Sequence, residues 1–325
     1  MEDLEIGLNL LPNVSARATA EDVRLAEDLG YDFVGLTDGQ MIWRDVYVSL
    51  ALAVAATNRI RLGPWVTNPT TRHSTVTVNS ICTLNEASNG RAFLGIGNGD
   101  DSVRTIGRDH AKLSVLADSV DVMYKLARGE TVQTEHGTWS LASAQGHLTV
   151  YWAASGPKSM EIGAQHADGV IVSAWLGPEL FDRIRTHIRA GAERAGKSEN
   201  DVQTIIHTAV AVDEDGERAR QAVRPYVARG LCYISSLWLP DWSEEEMNEF
   251  RKKYDYYHHF RADHDLAKLV PERFVRRKAV VGTPEECIET LQMIKAHGFR
   301  TISLMPAGDV PKTMHLLAKK VLPNL

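Results

Sequence analysis

The sequence contains few cysteines and no excess of basic residues. Only three of its 325 residues are cysteine, and Cys82, Cys232 and Cys287 lie far apart. An odd number without CxxC spacing argues against a disulfide framework and against a zinc site. Lys and Arg total 36 against 42 for Asp and Glu, which gives a net charge of −6. This balance does not favour a nucleic-acid or membrane-surface partner.

Long apolar segments are also missing. No run approaches the roughly 18 apolar residues that a membrane helix needs, and the acidic residues 1–5 lack the apolar core of a signal peptide. We therefore expect a cytoplasmic protein with no membrane partner. A hydrophobic content of 44% and a charged content of 24% are typical of a globular chain. We predict a single domain over residues 1–325, a length that suits one α/β barrel.

Short apolar segments alternate with helical patterns along most of the chain. Eight segments are predicted to be barrel strands, centred near Ile6, Val34, Leu62, Leu94, Tyr151, Ile171, Ile205 and Ile302. The alternation predicts a (β/α)8 TIM barrel, with a doubly wound open sheet as the alternative. Val280 marks a rival ninth strand, and residues 131–143 predict a small hairpin outside the main sheet. Thr19 and Thr283 are predicted to cap helices.

Residues 230–277 break this alternation. We predict a helical, aromatic-rich insertion here, which holds Trp238, Trp242, Tyr254, Tyr256, Tyr257, His258 and His259. The spacing of His258, His259 and His264 matches no HExxH-type pattern, and no cysteine is near. We therefore predict no metal and interpret the segment as a solvated lid over a substrate.

Polar side chains follow several predicted strands at the carboxyl end, where chemistry collects in such folds. They are Asp38 after the second strand, Asn68, Arg72 and His73 after the third, and Asn98, Asp100 and Asp101 after the fourth. Arg and His suit an anionic group or a proton transfer. Each position also has a structural interpretation. Asp38 and the two aspartates can cap helices or bind a cation, and His73 can be structural.

Residues 154–158 open a helix after another predicted strand. Exposed N–H groups at such a start bind phosphate, helped by the helix dipole. Ser155, Gly156 and Lys158 are therefore candidates for holding a phosphate group. The glycines of residues 94–99 do not complete a GxGxxG pattern, so we reject dinucleotide binding.

Several motifs together resemble a known family. They are residues 67–73, 83–86, 90–91, 94–100, 155–158, 167–169 and 282–285. In this order they resemble the luciferase-like flavin oxidoreductases, most closely the branch typified by coenzyme F420-dependent methylenetetrahydromethanopterin reductase. The resemblance covers nearly the whole chain. It implies a TIM barrel with FMN or the deazaflavin F420 at its C-terminal mouth.

The resemblance also implies roles for single residues. It implies a non-proline cis peptide at Trp65-Val66 against one face of the cofactor ring; the alternative is an ordinary strand end with Trp65 in the core. Asp38, His73 and Asp100 become catalytic candidates, Trp65, Val66, Asn68 and Asn98 cofactor contacts, and Trp43 and Trp175 substrate contacts. The chain departs from the family pattern at Gly39, where the F420-using relatives have histidine, and at Ser74, where proline is usual.

The function implied is hydride transfer between F420 and a small organic substrate. One alternative is an FMN-dependent two-component monooxygenase, which uses O2 and reduced flavin from a partner reductase. A second is a non-catalytic flavin-binding barrel, and a third is a metal-dependent barrel hydrolase. The expected partners are a small organic substrate and a flavin reductase or an F420-reducing enzyme. We also expect a homo-oligomer.

Overall fold

The computed structural model describes residues 4–135, 137–233, 242–253 and 265–325. The strands are β1 Glu5–Leu10, β2 Phe33–Leu36, β3 Arg61–Pro64, β4 Leu94–Ile96, β5 Val132–Thr134, β6 Gly137–Trp139, β7 Val150–Ala154, β8 Gly169–Ser173, β9 Gln203–Val212, β10 Ala279–Gly282 and β11 Thr301–Pro306. The helices are α1 Ala16–Asp28, α2 Val46–Ala56, α3 Ser74–Ala87, α4 Asp101–Arg104, α5 Leu113–Ala127, α6 Pro157–His166, α7 Pro178–Arg194, α8 Gly216–Tyr233, α9 Glu244–Lys252, α10 Asp265–Lys268, α11 Glu272–Lys278, α12 Pro284–Ala296 and α13 Val310–Leu316. Among the described residues, every helix is too short or too polar to cross a membrane.

Eight strands form a parallel barrel, which confirms the predicted fold class. Their order is β3-β2-β1-β11-β9-β8-β7-β4. Parallel bridges from Leu62 to Ala92 and from Thr67 to Ile96 bring the two ends of this order together. All eight predicted barrel strands are present. β10, predicted as a rival strand near Val280, pairs only with β9 and stays off the ring, and β5 and β6 form the separate antiparallel hairpin.

The chain divides into two compact units. The first contains Met1–Leu8, Val172–Arg185 and Ile205–Leu325, and the second contains Asn9–Ile171 and Thr186–Thr204. Within the second unit, the core side chains of β3 and β4 include the fully buried Leu62, Leu94 and Ile96. Within the first, Ile302 and Leu304 of β11 and Val210 of β9 are fully buried.

The helix starts follow from local hydrogen bonding. The Thr283 side chain accepts a hydrogen bond from the Glu286 N–H, and the Glu286 carboxylate accepts one from the Thr283 N–H, so the predicted capping box is confirmed. The predicted cap at Thr19 is wrong. Helix α1 begins four residues earlier because Ser15 Oγ accepts a hydrogen bond from the Ala18 N–H at 3.1 Å. Thr19 is buried, and its hydroxyl donates to the Ser15 carbonyl inside the helix.

The segment predicted as an aromatic-rich helical insertion is partly described. Helices α9, α10 and α11 confirm its helical character. Trp242 lies buried and packs edge to face against Phe274 at 5.1 Å between ring centroids. Trp238 and the aromatic and histidine residues of 254–264 lie outside the described residues.

A buried carboxylate fixes the turn that leads into β3. Glu27, at the end of α1, is 7% exposed. Its carboxylate accepts hydrogen bonds from the backbone N–H groups of Asn58, Arg59 and Ile60 at 2.6–3.1 Å. Burial alone would raise the pKa of Glu27, but these donors outweigh it and lower that pKa. The turn before β3, and hence the position of the loop after β3, depends on this carboxylate.

We expect Glu27→Ala to lower the free energy of unfolding by about 2–4 kcal/mol, because it leaves buried N–H groups without their acceptor. The measurement is urea denaturation of both proteins. The folded-state pKa is depressed, so the advantage of the wild type is present at neutral pH. It shrinks as the pH falls below roughly 4.

The matched control is Glu21→Ala, which removes an exposed carboxylate from the same helix. It should change the unfolding free energy by no more than about 0.5 kcal/mol. Equal losses for both variants would show that helix propensity, and not the buried acceptor, stabilises this turn.

Candidate functional site

The loops that follow β2, β3 and β4 are hydrogen-bonded into one structure within the second unit. Gln40 Nε2, after β2, donates to the Ser102 carbonyl at 2.6 Å. Asn68 Nδ2, after β3, donates to Ser102 Oγ at 2.9 Å. These loops lie at the carboxyl ends of parallel strands, which is where active sites form in this fold. Asp38, Asn68 and Asp100 are therefore brought to one connected set of loops.

Asp38 is a buried carboxylate held by two side chains from the loop after β3. It is 5% exposed. It accepts a hydrogen bond from Thr67 Oγ1 at 2.8 Å and forms an ion pair with Arg72. Burial raises the pKa of Asp38, and the charge of Arg72 and the Thr67 hydrogen bond oppose that rise. The alternative prediction that Asp38 caps the next helix is wrong, because Asp45 caps α2.

Arg72 links Asp38 to the start of α2. Its Nη2 lies 2.8 Å from Asp45 Oδ2, and its guanidinium lies over the Tyr47 ring at 5.0 Å from the centroid. Two carboxylates and an aromatic face thus hold a planar cation that is mostly removed from solvent. Sequence reasoning noted Arg72 only as a cation suited to an anion, and gave no sign of these two acidic partners.

Gly39 leaves the space that Trp43 fills. A Cβ atom added at Gly39 would lie 2.6 Å from Trp43 Cε3, well inside van der Waals contact. The Trp43 N–H donates to the Gly39 carbonyl at 2.8 Å, and its side chain is 8% exposed. The choice of glycine at position 39 is therefore coupled to the packing of Trp43.

The Trp65-Val66 peptide bond is cis, as the resemblance implied. The Trp65 side chain is 4% exposed and packs among Phe33, Phe93 and Tyr151 at centroid distances of 5.5–6.1 Å. It thus occupies the aromatic core. Val66 keeps accessible surface and has glycines beside it: a Cβ at Gly95 or Gly97 would lie 3.1–3.2 Å from its methyl groups. Val66 is the member of the pair with surface available to a ligand.

Asn68 and His73 make local hydrogen bonds that shape their loop. Asn68 Oδ1 accepts from the N–H groups of Thr70 and Thr71 at 3.0 and 2.9 Å. His73 is exposed, and its Nδ1 accepts from the Thr75 N–H at 3.3 Å as the cap of α3. Its ring also packs edge-on against Trp139 at 5.1 Å. The proposed roles of both residues in chemistry stay predictions.

The loop after β4 contains two aspartates in different environments. Asp100 is partly exposed and forms an ion pair with Arg104, with Oδ1 3.4 Å from Nε. Asp101 is 9% exposed, and burial raises its pKa to about 7 against the opposing charge of Arg104. Sequence reasoning selected Asp100 as the catalytic candidate. The buried carboxyl with the shifted pKa is its neighbour.

His110 fixes the far side of this loop. Its Nδ1–H donates to the Gly99 carbonyl, and Arg104 Nη2 donates to its Nε2 at 2.6 Å. This pair of bonds assigns the neutral ring with the proton on Nδ1. Burial, followed by the charge of Arg104, lowers the pKa of His110 and keeps it in that form. Asn98 lies at the start of the loop, and its carboxamide makes no hydrogen bond to the described residues.

The start of α6 is open, as the phosphate prediction requires. Gly156 precedes the first helical residue, and no side chain caps this end. No atom lies within 4 Å of the position that a Cβ would take on Gly156. Ser155 and Lys158 are exposed beside it. Trp152 anchors the helix, since its Nε1–H donates to Ser159 Oγ at 3.0 Å.

Trp175 belongs to the other compact unit. It follows β8, is 6% exposed, and packs edge to face against Phe274 at 5.9 Å. Its predicted contact with substrate stays a prediction. Among the described ranges, no group of three or more His, Cys, Asp or Glu side chains has a metal-binding arrangement.

Comparisons with known proteins find a family model and individual proteins that match most of the chain. The family model described as luciferase-like monooxygenase matches residues 5–301. A 5,10-methylenetetrahydromethanopterin reductase from Archaeoglobus fulgidus is 30% identical over 333 residues, covering 99% of this chain and 100% of that protein.

Two solved structures show the same fold. The coenzyme F420-dependent tetrahydromethanopterin reductase from Methanopyrus kandleri superimposes with a TM-score of 0.84 at 23% identity, covering 99% of each chain. The oxygenating constituent of 3,6-diketocamphane monooxygenase from Pseudomonas putida, solved in complex with FMN, superimposes with a TM-score of 0.69 at 18% identity, covering 99% of each chain.

We expect Gly39→Ala to lower the unfolding free energy by about 1–3 kcal/mol, because the added methyl group collides with the Trp43 ring. The backbone angles at Gly39 lie outside the left-handed region, so the backbone itself tolerates alanine. Chemical denaturation of Gly39→Ala, Trp43→Leu and the double variant measures the coupling between the two positions. We expect the two costs to be non-additive by about 0.5–3 kcal/mol. Strict additivity would contradict the packing argument.

The raised pKa of Asp101 predicts a pH dependence of stability. Its folded-state pKa is raised from 3.8 to about 7. The folded state therefore binds the extra proton, and stability falls as the pH rises between these values. The loss across this window is at most about 4 kcal/mol.

Denaturation of wild type and Asp101→Asn at about pH 5 and about pH 8 tests this dependence. The wild type should lose more stability between the two conditions than the variant. Asp100→Asn, which changes the partly exposed neighbour, should keep the wild-type difference. If Asp101→Asn keeps it as well, another group titrates.

Proposed function

The chain belongs to the luciferase-like monooxygenase family, and we propose that it is an oxidoreductase that transfers a hydride between the deazaflavin F420 and a small organic substrate. Its similarity over the full length of a 5,10-methylenetetrahydromethanopterin reductase supports this choice. The Methanopyrus kandleri structure that superimposes on the whole chain is described as coenzyme F420-dependent.

One observation carries the proposal: the buried carboxyl of Asp101 beside the loop after β4. Hydride transfer to a carbonyl carbon leaves an alkoxide oxygen, which takes up a proton beside the reacting carbon; in the reverse direction the alcohol gives up that proton as the hydride leaves. A general acid or base works best when its pKa lies near the working pH. Burial raises the pKa of Asp101 to about 7, so this carboxyl meets that requirement. In the proposed reaction Asp101 holds or releases the proton, and Asp100 with Arg104 and His110 fixes its loop.

The residues present fit a phosphate-bearing flavin or deazaflavin. The open start of α6 offers unsatisfied N–H groups, and Ser155 and Lys158 add a hydroxyl donor and a positive charge. Gly97 permits close backbone approach beside Val66, whereas a Cβ at this position would lie 3.2 Å from Val66 Cγ2 and crowd it. The Asn98 carboxamide, which makes no hydrogen bond within the described part of the chain, could bind the polar edge of a ring. When bound, F420 would supply two-electron hydride chemistry.

The Asp38–Arg72 pair has a positioning role in this proposal. Arg72 is held by two carboxylates and Tyr47, so its cation stays at a fixed place beside the loop after β2. A fixed charge of this kind orients a polar substrate group and stabilises developing negative charge. Trp43, packed on Gly39, provides an apolar side chain in the same loop.

A second candidate is an FMN-dependent two-component monooxygenase. The description of the matching family and the FMN complex of the Pseudomonas putida protein favour it. It requires a partner reductase that delivers reduced flavin, and O2 as co-substrate. A non-catalytic flavin-binding barrel remains the outcome if a cofactor binds but no donor is oxidised. For the F420 reaction, the partner is an F420-reducing enzyme.

We expect the purified protein to bind F420 and to bind FMN more weakly, as followed by absorption spectra and mass measurement of the bound chromophore. Lys158→Met should weaken F420 binding by about tenfold, because it removes a cation from the phosphate end. The control is Lys125→Met, which removes an exposed lysine from α5 and should bind as the wild type does.

The competing outcomes are distinct. Tighter FMN binding, with O2 consumption when reduced FMN is supplied, would establish the monooxygenase instead. Binding of neither cofactor would overturn the proposal. If F420 binds and Asp101→Asn keeps full hydride transfer to every acceptor tried, Asp101 has no part in the reaction.

A further inference from the structure

The first compact unit contains a buried lysine that contacts no carboxylate among the described residues. Lys278 ends α11, directly before β10, and is 7% exposed. Its Nζ donates to the Ala174 carbonyl at 2.9 Å and to Ser173 Oγ at 3.0 Å. Both acceptors are neutral oxygens. Within the described ranges, no carboxylate forms an ion pair with Lys278.

This arrangement leaves a positive charge without compensation. Burying an ammonium group away from water costs several kcal/mol unless an opposite charge or a full set of acceptors replaces the water. Burial, followed by the charge of Arg229, lowers the pKa of Lys278 to about 7. An anion beside Nζ would remove this penalty. The protein alone, in its described part, does not supply one.

Ser173 adds a second hydrogen-bond donor beside Lys278. It is the last residue of β8 and is exposed, whereas the four residues before it are buried. Its oxygen accepts a hydrogen bond from Lys278, so its own hydroxyl proton points elsewhere. A hydroxyl that accepts from a cation is also a stronger donor. Ser173 and Lys278 therefore present an O–H donor and an N–H donor next to each other.

The surroundings add an apolar wall and a neutral imidazole. The Lys278 ammonium lies 5.6 Å from the centroid of the Trp175 ring, which packs on Phe274. His207 on β9 lies 3.1 Å from Ser303 Oγ through its Nδ1. Burial, with a contribution from Lys278, lowers the pKa of His207 to about 3, so it stays neutral and adds no competing charge.

We propose that Lys278 and Ser173 bind the carboxylate or phosphate group of a small organic anion. The two donors match two oxygens of such a group, and the ring of Trp175 suits its organic part. The site lies within the first unit and uses none of the residues assigned above to the cofactor or to proton transfer. It therefore stands independently of the proposed redox function.

The test is direct binding of small anions to the protein, measured by isothermal titration calorimetry in the absence of any redox cofactor. The probes are benzoate and phenyl phosphate, with benzamide as a neutral analogue of the same shape, at about pH 6 where the ammonium is charged. The wild type should bind at least one anion and should bind benzamide at least about tenfold more weakly. The stronger of the two anions identifies carboxylate or phosphate as the preferred group.

Variants locate the binding. Lys278→Met should weaken anion binding by about tenfold or more, and Lys278→Arg should keep it within about threefold. Ser173→Ala should weaken it by about three- to tenfold and tests the site even if a variant at position 278 fails to fold. Lys125→Met, which removes an exposed lysine from α5 in the other unit, is the matched control and should leave this binding unchanged. Lys158→Met is measured as well, because it reports any binding of the same anions at the start of α6.

The proposal has clear contrary outcomes. It is overturned if the wild type binds neither anion, if benzamide binds equally well, or if folded Lys278→Met and Ser173→Ala bind as the wild type does. Loss of binding in Lys158→Met alone would assign the anion to the start of α6. Since the binding test uses neither F420 nor FMN, its result can be interpreted even if the redox proposal fails.

Discussion

The candidate site depends on one buried ion pair, between Asp38 after β2 and Arg72 after β3. Removing Arg72 would leave the buried Asp38 carboxylate without a compensating charge, which is far more costly than losing a surface pair. Thr67 completes the coordination of the carboxylate. Asn68, its neighbour in sequence, extends the connection to Ser102 and so to the loop after β4. Three loops that carry chemically capable groups are thereby held in one arrangement.

Each compact unit contains a buried charged side chain, but the two differ in whether the described residues supply an opposite charge. In the second, Asp38 has its cation and hydroxyl donor within the protein, so its contribution is structural order. In the first, the described residues place two neutral oxygens and the Trp175 ring beside the Lys278 ammonium, and the anion proposed above would balance its charge. A fully paired charge resists change and positions its neighbours. A buried charge without an ion-pair partner favours the binding of an oppositely charged group beside it.

The sequence predicts the fold better than it predicts the site. Short apolar segments and turn residues located all eight barrel strands, because strand burial follows local apolar runs. The Thr283 capping box was also readable, since its partners lie three residues apart. The acidic partners of Arg72 and the acceptors of Lys278 were not readable, because they come from distant parts of the chain. Asp101 stood next to a chosen residue, but only tertiary packing determines which aspartate is buried.

The contact between Gly39 and Trp43 has a consequence for how such a site evolves. A side chain at position 39 and the present position of the Trp43 ring exclude each other sterically. If histidine replaces glycine at this position, the Trp43 side chain must shift or be substituted as well. Otherwise the protein carries a steric clash that lowers its stability. The two positions are epistatic: the fitness of a residue at one depends on the conformation of the other. Positions 39 and 43 should therefore be compared together when this chain is compared with its relatives.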